Sequence, residues 1–170
     1  MVVGVVKEKY SVEISRCPIS GKIVSEYWRN AEGGLHRPDG PAVIETDRIT
    51  GVVTEEQYYL NGEIHRPDGE PAMINYCHKT GNVLRKAWLE NDILVRSGGL
   101  PTMEYFDGHT QKLVRAEYQI SRGGSCKSRL HRLDGPAVIT FDPVSGKQTG
   151  ALFYKNGRKA SSPLGSTFGR

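Results

Sequence analysis

Apolar positions in this chain fall in short runs, each bounded by turn-forming residues, and no stretch keeps a helical period over three turns. The runs repeat. Leu35-His36-Arg37-Pro38-Asp39-Gly40-Pro41-Ala42-Val43-Ile44 returns as Ile64-His65-Arg66-Pro67-Asp68-Gly69-Glu70-Pro71-Ala72-Met73-Ile74 and again as Leu130-His131-Arg132-Leu133-Asp134-Gly135-Pro136-Ala137-Val138-Ile139. An eroded copy lies between the last two, at Leu94-Val95-Arg96-Ser97-Gly98-Gly99-Leu100-Pro101-Thr102-Met103. A second signature separates the copies. Gly21, Gly51, Gly81 and Gly146 mark one turn, with Gln111 in the remaining slot. Trp28, Tyr58, Trp88, Tyr118 and Phe153 stand seven residues after these positions, and Ile14, Ile44, Ile74, Glu104 and Ile139 seven before. The period is 30 residues, with a last step of 35.

Each unit predicts two strands. A short one follows the Pro-Ala pair, as in Ala42–Glu45, and a turn ending in Gly leads to a longer one, as in Val52–Leu60. Asn61-Gly62 and Asn156-Gly157 close that longer strand with the dipeptide that best marks a tight hairpin turn. The expected fold is all-β: an elongated, curved sheet of about five successive β-hairpins, some ten strands side by side in sequence order. It is expected to span residues 1–160 as a single domain, with 161–170 as a flexible, aperiodic tail. The Ile and aromatic columns are expected to meet across the turn and stack along one face, because a unit of this size buries its apolar face only against its neighbours.

Glu56-Gln57-Tyr58-Tyr59-Leu60-Asn61-Gly62-Glu63-Ile64-His65, an aromatic strand followed by an Asn-Gly turn and a His, resembles MORN repeats. The resemblance is closest to the MORN-variant repeats of bacterial antitoxin- or immunity-type proteins, and it covers roughly residues 10–160. It implies a curved sheet of successive hairpins that serves as a binding scaffold. The unit here is longer than the family's, and His-Arg-Pro-Asp-Gly-Pro-Ala stands where the family has a shorter His-Gly motif, so the fold is what the resemblance carries.

Composition narrows the classes. Hydrophobic residues make up 37% of the 170 and aromatics 8%, which fits an open sheet better than a thick core. No apolar run approaches the ~18 residues of a membrane-spanning helix. The apolar stretch Met1–Val6 has no basic residue before it and reads poorly as a leader. Cys17, Cys77 and Cys126 form no CxxC pair or zinc spacing and read as reduced thiols of a cytoplasmic protein. The net charge of +4 is local: Arg122, Lys127 and Arg129 in one segment, and Arg158, Lys159 and Arg170 near the end, leave 17 basic against 19 acidic residues elsewhere.

Two features could carry function. The first is the recurring His-Arg-x-Asp-Gly. Asp and Gly suit turns, and Arg37, Arg66, Arg96 and Arg132 hold their column even where His and Asp are lost. Each guanidinium could pair with a nearby Asp or carbonyl, or the row could read an acidic partner. Equivalent positions in successive hairpins lie ~10 Å apart, too far for His36 and His65 to share a metal ion. The second is the insertion in the fourth unit, Ser121-Arg122-Gly123-Gly124-Ser125-Cys126-Lys127-Ser128-Arg129, expected to be a flexible basic contact loop. No P-loop, GxSxG, HExxH or paired-carboxylate arrangement stands out. The sequence thus points to a non-enzymatic scaffold without metal or cofactor. It would bind a protein with an acidic surface, as an inhibitor or immunity-type factor, through Arg122, Cys126, Lys127, Arg129, Arg37, Arg66, Arg96 and Arg132. The alternative is polyanion binding, to nucleic acid or acidic lipid headgroups, through the same basic groups.

Overall fold

The computed structural model describes residues 9–67, 69–122 and 125–162. The first unit gives β1 (Ser11–Arg16) and β2 (Ile23–Arg29); the second gives β3 (Val43–Thr46) and β4 (Val53–Gln57), then the small hairpin β5 (Tyr59–Leu60) and β6 (Glu63–Ile64). The third repeats this with β7 (Met73–Tyr76), β8 (Val83–Ala87), β9 (Leu89–Glu90) and β10 (Ile93–Leu94). The fourth has β11 (Met103–Phe106), β12 (Leu113–Glu117), β13 (Gln119–Arg122) and β14 (Ser125–Leu130), and the fifth β15 (Val138–Phe141), β16 (Gln148–Lys155) and β17 (Arg158–Ala160). The only helical turn among the described residues is a 3-10 turn at Ser97–Gly99.

The protein is all-β, a run of successive hairpins. One open antiparallel sheet of 11 strands runs β1-β2-β3-β4-β7-β8-β11-β12-β15-β16-β17, each strand beside its predecessor in the chain once the small hairpins are set aside. The last strand, β17, pairs only with Phe153–Lys155 at the far end of β16. At ~4.8 Å per strand the sheet measures about 48 Å across its ladder.

The longer predicted strand is two pieces. It stops at Gln57 in the second unit and resumes at Tyr59 in a separate hairpin. The aromatic residue is the hinge: Tyr58 donates its N–H to the Ala72 carbonyl of the main sheet (2.9 Å), and its own carbonyl accepts from His65 in the small hairpin (3.0 Å). Trp88 and Tyr118 make the same two bonds. The small hairpins close on Asn61-Gly62 and Asn91-Asp92, with positive φ at both central residues as the right-handed strand twist requires, and Asn156-Gly157 turns β16 into β17 in the same way.

Register departs from the expectation that Ile and ring face each other. The turn closes between Asp47 and Val52 (Asp47 N–H to Val52 carbonyl, 2.8 Å), so its centre lies before Gly51, and a bulge at Glu45/Thr46 shifts the ladder back by only one residue. Ile44 therefore opposes Glu56, not Tyr58. Reading across one face gives Ile14, Glu26, Ile44, Glu56, Ile74, Lys86, Glu104, Ala116, Ile139 and Ala151. The core lies on the other face, where Ala72, Ala87, Leu89 and Met103 cluster with Ile64, Met73, Leu94 and Tyr105, so the small hairpins form its second layer. Ala42, Ala72 and Ala137 are fully buried. The Ala42 carbonyl accepts from Trp28 and its N–H donates to Gln57, linking one unit to the next where a larger side chain would have no room.

Candidate interaction surface

The Arg column is folded onto the aromatic column. Each guanidinium carbon lies over the ring of its own unit: Arg37 over Trp28 at 4.0 Å, Arg66 over Tyr58 at 3.9 Å, Arg96 over Trp88 at 3.5 Å and Arg132 over Tyr118 at 3.8 Å from the centroid. Three of them also donate to the carbonyl of the Pro that follows, Pro41, Pro71 and Pro101, at 3.3, 3.1 and 3.1 Å. Arg132 instead donates to Asp134 (2.9 Å). Four of the five rings are covered, and their lid is a cation rather than the Ile column. Trp88 is buried and the other four rings are half-buried. Phe153 has no Arg in the corresponding slot, which Ser161 occupies.

The eroded third unit is internally compensated. Glu104, which replaces the columnar Ile, accepts from Arg96 at 2.7 Å. The histidines act between units. His36 Nδ1 accepts from Asn61 N–H (2.9 Å), and His131 Nδ1 from Asn156 N–H (3.0 Å), each clamping the next hairpin's tip. Among the described residues no group of three His, Cys, Asp or Glu side chains could hold a metal ion. Asp39 is exposed beside Arg37 (3.6 Å), and Asp68 lies outside the described residues.

The insertion is not a loose loop. Gln119, Ile120, Ser121 and Arg122 pair with Leu130, Arg129, Ser128 and Ser125, which lengthens the small hairpin of that unit. It is tied down on both sides: Ser121 accepts from Leu94 N–H (2.8 Å), and the Leu130 carbonyl from Gly157 N–H (2.8 Å). Lys127 is exposed and Arg129 half-buried. Gly123 and Gly124, the side chains of Arg122 and Cys126, and residues 163–170 with Phe168 and Arg170 lie outside the described residues.

A further column sits at the opposite ends of the hairpins. Cys17, Asp47, Cys77, Asp107 and Asp142 each stand four residues before the Gly/Gln111 column and open the turn. Asp47 Oδ1 accepts from Ile49 N–H (2.9 Å) and Thr50 N–H (2.7 Å); Asp107 and Asp142 repeat the pattern. Those backbone donors hold all three carboxyls below their ordinary range. In the Cys turns the hydroxyls of Ser20 and Thr80, with backbone N–H groups, lower the thiols likewise. Cys17 and Cys77 are thus in register, two periods apart. Neighbouring turns are joined as well: Ser20 donates to the Arg48 carbonyl (2.8 Å), Lys22 to those of Ile49 and Thr50, and Thr50 to that of His78 (3.0 Å).

The residue two beyond each turn opener points outward; it is Lys79 and His109 in the third and fourth turns but aliphatic in the other three. Ile19 is 95% exposed and Ile49 73%, and Val144 occupies the same position at the far end. Between the first two turns runs a groove of about 940 Å³, lined by the apolar Pro18, Ile19, Val24 and Ile49 and by two charges of each sign, Arg16 and Arg48 with Glu45 and Asp47. None of these was singled out in the sequence, although the spacing from the Gly column marks all three exposed aliphatics. On the opposite edge a smaller cleft of about 370 Å³ lies between Arg37 and Arg66, with Asp39 and Glu70 balancing its charge. No helix of the described residues is long and apolar enough to cross a membrane. No protein-family model matches the sequence, and no curated protein or solved structure matches it either.

Proposed function

We propose that this protein is a non-enzymatic, MORN-like repeat scaffold that binds a protein partner, in the manner of an inhibitor or immunity-type factor. The observation that carries the reading is the groove between the first two turns. Two largely exposed isoleucines line it, with two guanidiniums and two carboxylates around them. An apolar centre with Arg at its margin is the composition of an energetic protein contact. The fitting partner segment places an aliphatic or aromatic side chain against Ile19 and Ile49, since Glu45 and Asp47 already offset the charge of Arg16 and Arg48 in the groove. The polyanion reading has less to stand on, since all four columnar guanidiniums lie over rings and are bonded within the fold.

The test is affinity capture from host lysate with the wild type, the groove variant I19D/I49D, and the hairpin variant R122S/K127S/R129S, each with and without nuclease. The proposal expects a protein retained by wild type despite nuclease and lost by I19D/I49D. Retention unchanged in I19D/I49D moves the contact off the groove. Capture abolished by nuclease, and by raised salt, overturns protein binding in favour of nucleic acid.

A further inference from the structure

The sheet contains the same inter-unit joint four times, and its two ends are the two halves of that joint. In β2–β3, β4–β7, β8–β11 and β12–β15 the register is constant: Glu26 opposes Ile44, Glu56 opposes Ile74, Lys86 opposes Glu104 and Ala116 opposes Ile139, with one further pair on either side. Glu13-Ile14-Ser15 of β1 occupies the position of Val43-Ile44-Glu45, Met73-Ile74-Asn75 and Val138-Ile139-Thr140. Gly150-Ala151-Leu152 of β16 occupies that of Glu55-Glu56-Gln57. Among the described residues no strand pairs with the outer edge of β1, or with the edge of β16 turned away from β15 over these three residues.

We propose that the protein assembles head to tail with copies of itself, β16 of one copy adding to β1 of the next in the internal register. Gly150 then faces Ser15, Ala151 faces Ile14, and Leu152 faces Glu13. Three features favour a second copy over another strand. The Ala151–Ile14 pair reproduces the internal Ala116–Ile139 pair, and no like charges oppose each other. The apolar residues exposed on these edges are those the joint would cover. Ile14 is 48% and Leu152 41% exposed, whereas of the internal counterparts of Ile14, Ile74 is 8% exposed and Ile44 and Ile139 are half-buried. Neither edge triplet holds a Lys or Pro, two residues that commonly keep free edges from pairing. The two patches are different, so the contact is heterologous and propagates into open chains rather than closing as a twofold dimer.

The experiment uses the full chain and two edge variants, E13K/I14K and A151K/L152K, in sedimentation velocity across a concentration series. Far-UV circular dichroism confirms that each variant keeps the β fold. Wild type is expected to rise with concentration past twice its 18.8 kDa monomer mass. Each variant alone stays monomeric. Their equimolar mixture stops at the two-chain mass, because each supplies the edge the other lacks. A wild type that stays monomeric overturns the proposal, as do variants that assemble like wild type. If A151K/L152K dimerises and E13K/I14K does not, the contact is β1 to β1, and head-to-tail growth is refuted. If one variant fails to fold, the other still decides between a blocked and an unblocked chain.

Discussion

Replacing Arg96 by Met asks whether the guanidinium column holds the fold or serves a partner. Arg96 lies 3.5 Å from the Trp88 centroid and donates to the Pro101 carbonyl (3.1 Å) and to Glu104 (2.7 Å). Its side chain is 18% exposed, so these contacts are largely shielded from water. A desolvated cation–π contact contributes ~2 kcal/mol, and a hydrogen bond from a charged donor ~1.5 kcal/mol. Glu104, half-buried and unpaired in the variant, costs ~1 kcal/mol more. The Met thioether against the ring offsets ~1 kcal/mol. The net loss is about 3.5 kcal/mol. Arg37→Met is the internal control. That side chain is 25% exposed, lies 4.0 Å from its ring, and has a 3.3 Å bond to Pro41 and a 3.6 Å approach to a fully solvated Asp39. Its loss should be about 1 kcal/mol. Urea unfolding, followed by circular dichroism with matched m-values, measures both. The cycle Trp88→Leu, Arg96→Met and their combination should show coupling of about 1–2 kcal/mol. Equal losses at Arg96 and Arg37, or coupling near zero, would refute the stacked-lid account and return the column to the candidate binding groups.

Three further outcomes follow from the turns. The folded carboxyls of Asp47, Asp107 and Asp142 lie below their unfolded values, so their stabilisation is complete above about pH 4 and is lost as pH falls through the lowered values. Acid unfolding of D47N/D107N/D142N should accordingly have a shallower pH slope in that window than wild type; matching slopes would exonerate the turns. Cys77→Asp should melt higher than Cys77→Ala, because the carboxylate meets donors already aimed at that slot; the reverse order would show that the slot is not equivalent to that of Asp47. His36→Ala and His131→Ala should each cost about 1 kcal/mol and speed amide exchange at Asn61 and Asn156. His65→Ala, whose buried Nδ1 has no partner, should be milder, and equal effects at all three would count against the clamp.

The period and its aromatic column made the fold legible, because a ring every 30 residues in a chain with few rings has only a repeat to explain it. Strand order followed from the same regularity. Register did not, since it depends on where the turn closes, and the Asp47–Val52 bond and the adjacent bulge place that two residues from the position the Gly column suggests. The Arg column was visible, but its target was not: the rings and guanidiniums of one unit are nine residues apart between Trp28 and Arg37 and fourteen between Tyr118 and Arg132, so no fixed spacing betrays the stack. The insertion was recognisable as a length change, yet its Gly-Gly-Ser composition suggested looseness where the strands on either side extend an existing hairpin. The Cys/Asp column shared the Gly period and went unread, because Cys and Asp are rarely one class; in this turn they are, both being acceptors of the same two backbone donors.

The distribution of contacts explains why the ends matter most. An internal unit has a lidded ring, a buried Ala carrying one bond to each neighbour, and turns joined on both sides, so its stability is the sum of its own stack and two joints. The first and fifth units each have one joint. The fifth also lacks the cation over Phe153, and the first leaves Ile14 half in water. In a nearest-neighbour chain such units open first. Anything that completes the missing joint therefore stabilises the least stable parts of the molecule by the largest amount. The partner best shaped to complete it is the complementary edge that the same chain carries at its other end. The groove at Ile19 and Ile49 opens at the turn ends of the hairpins, and of its lining only Arg16 belongs to the edge strand β1. Growth of the sheet would then repeat the groove once per copy, and a partner with more than one matching segment would gain affinity by multivalency without any new contact.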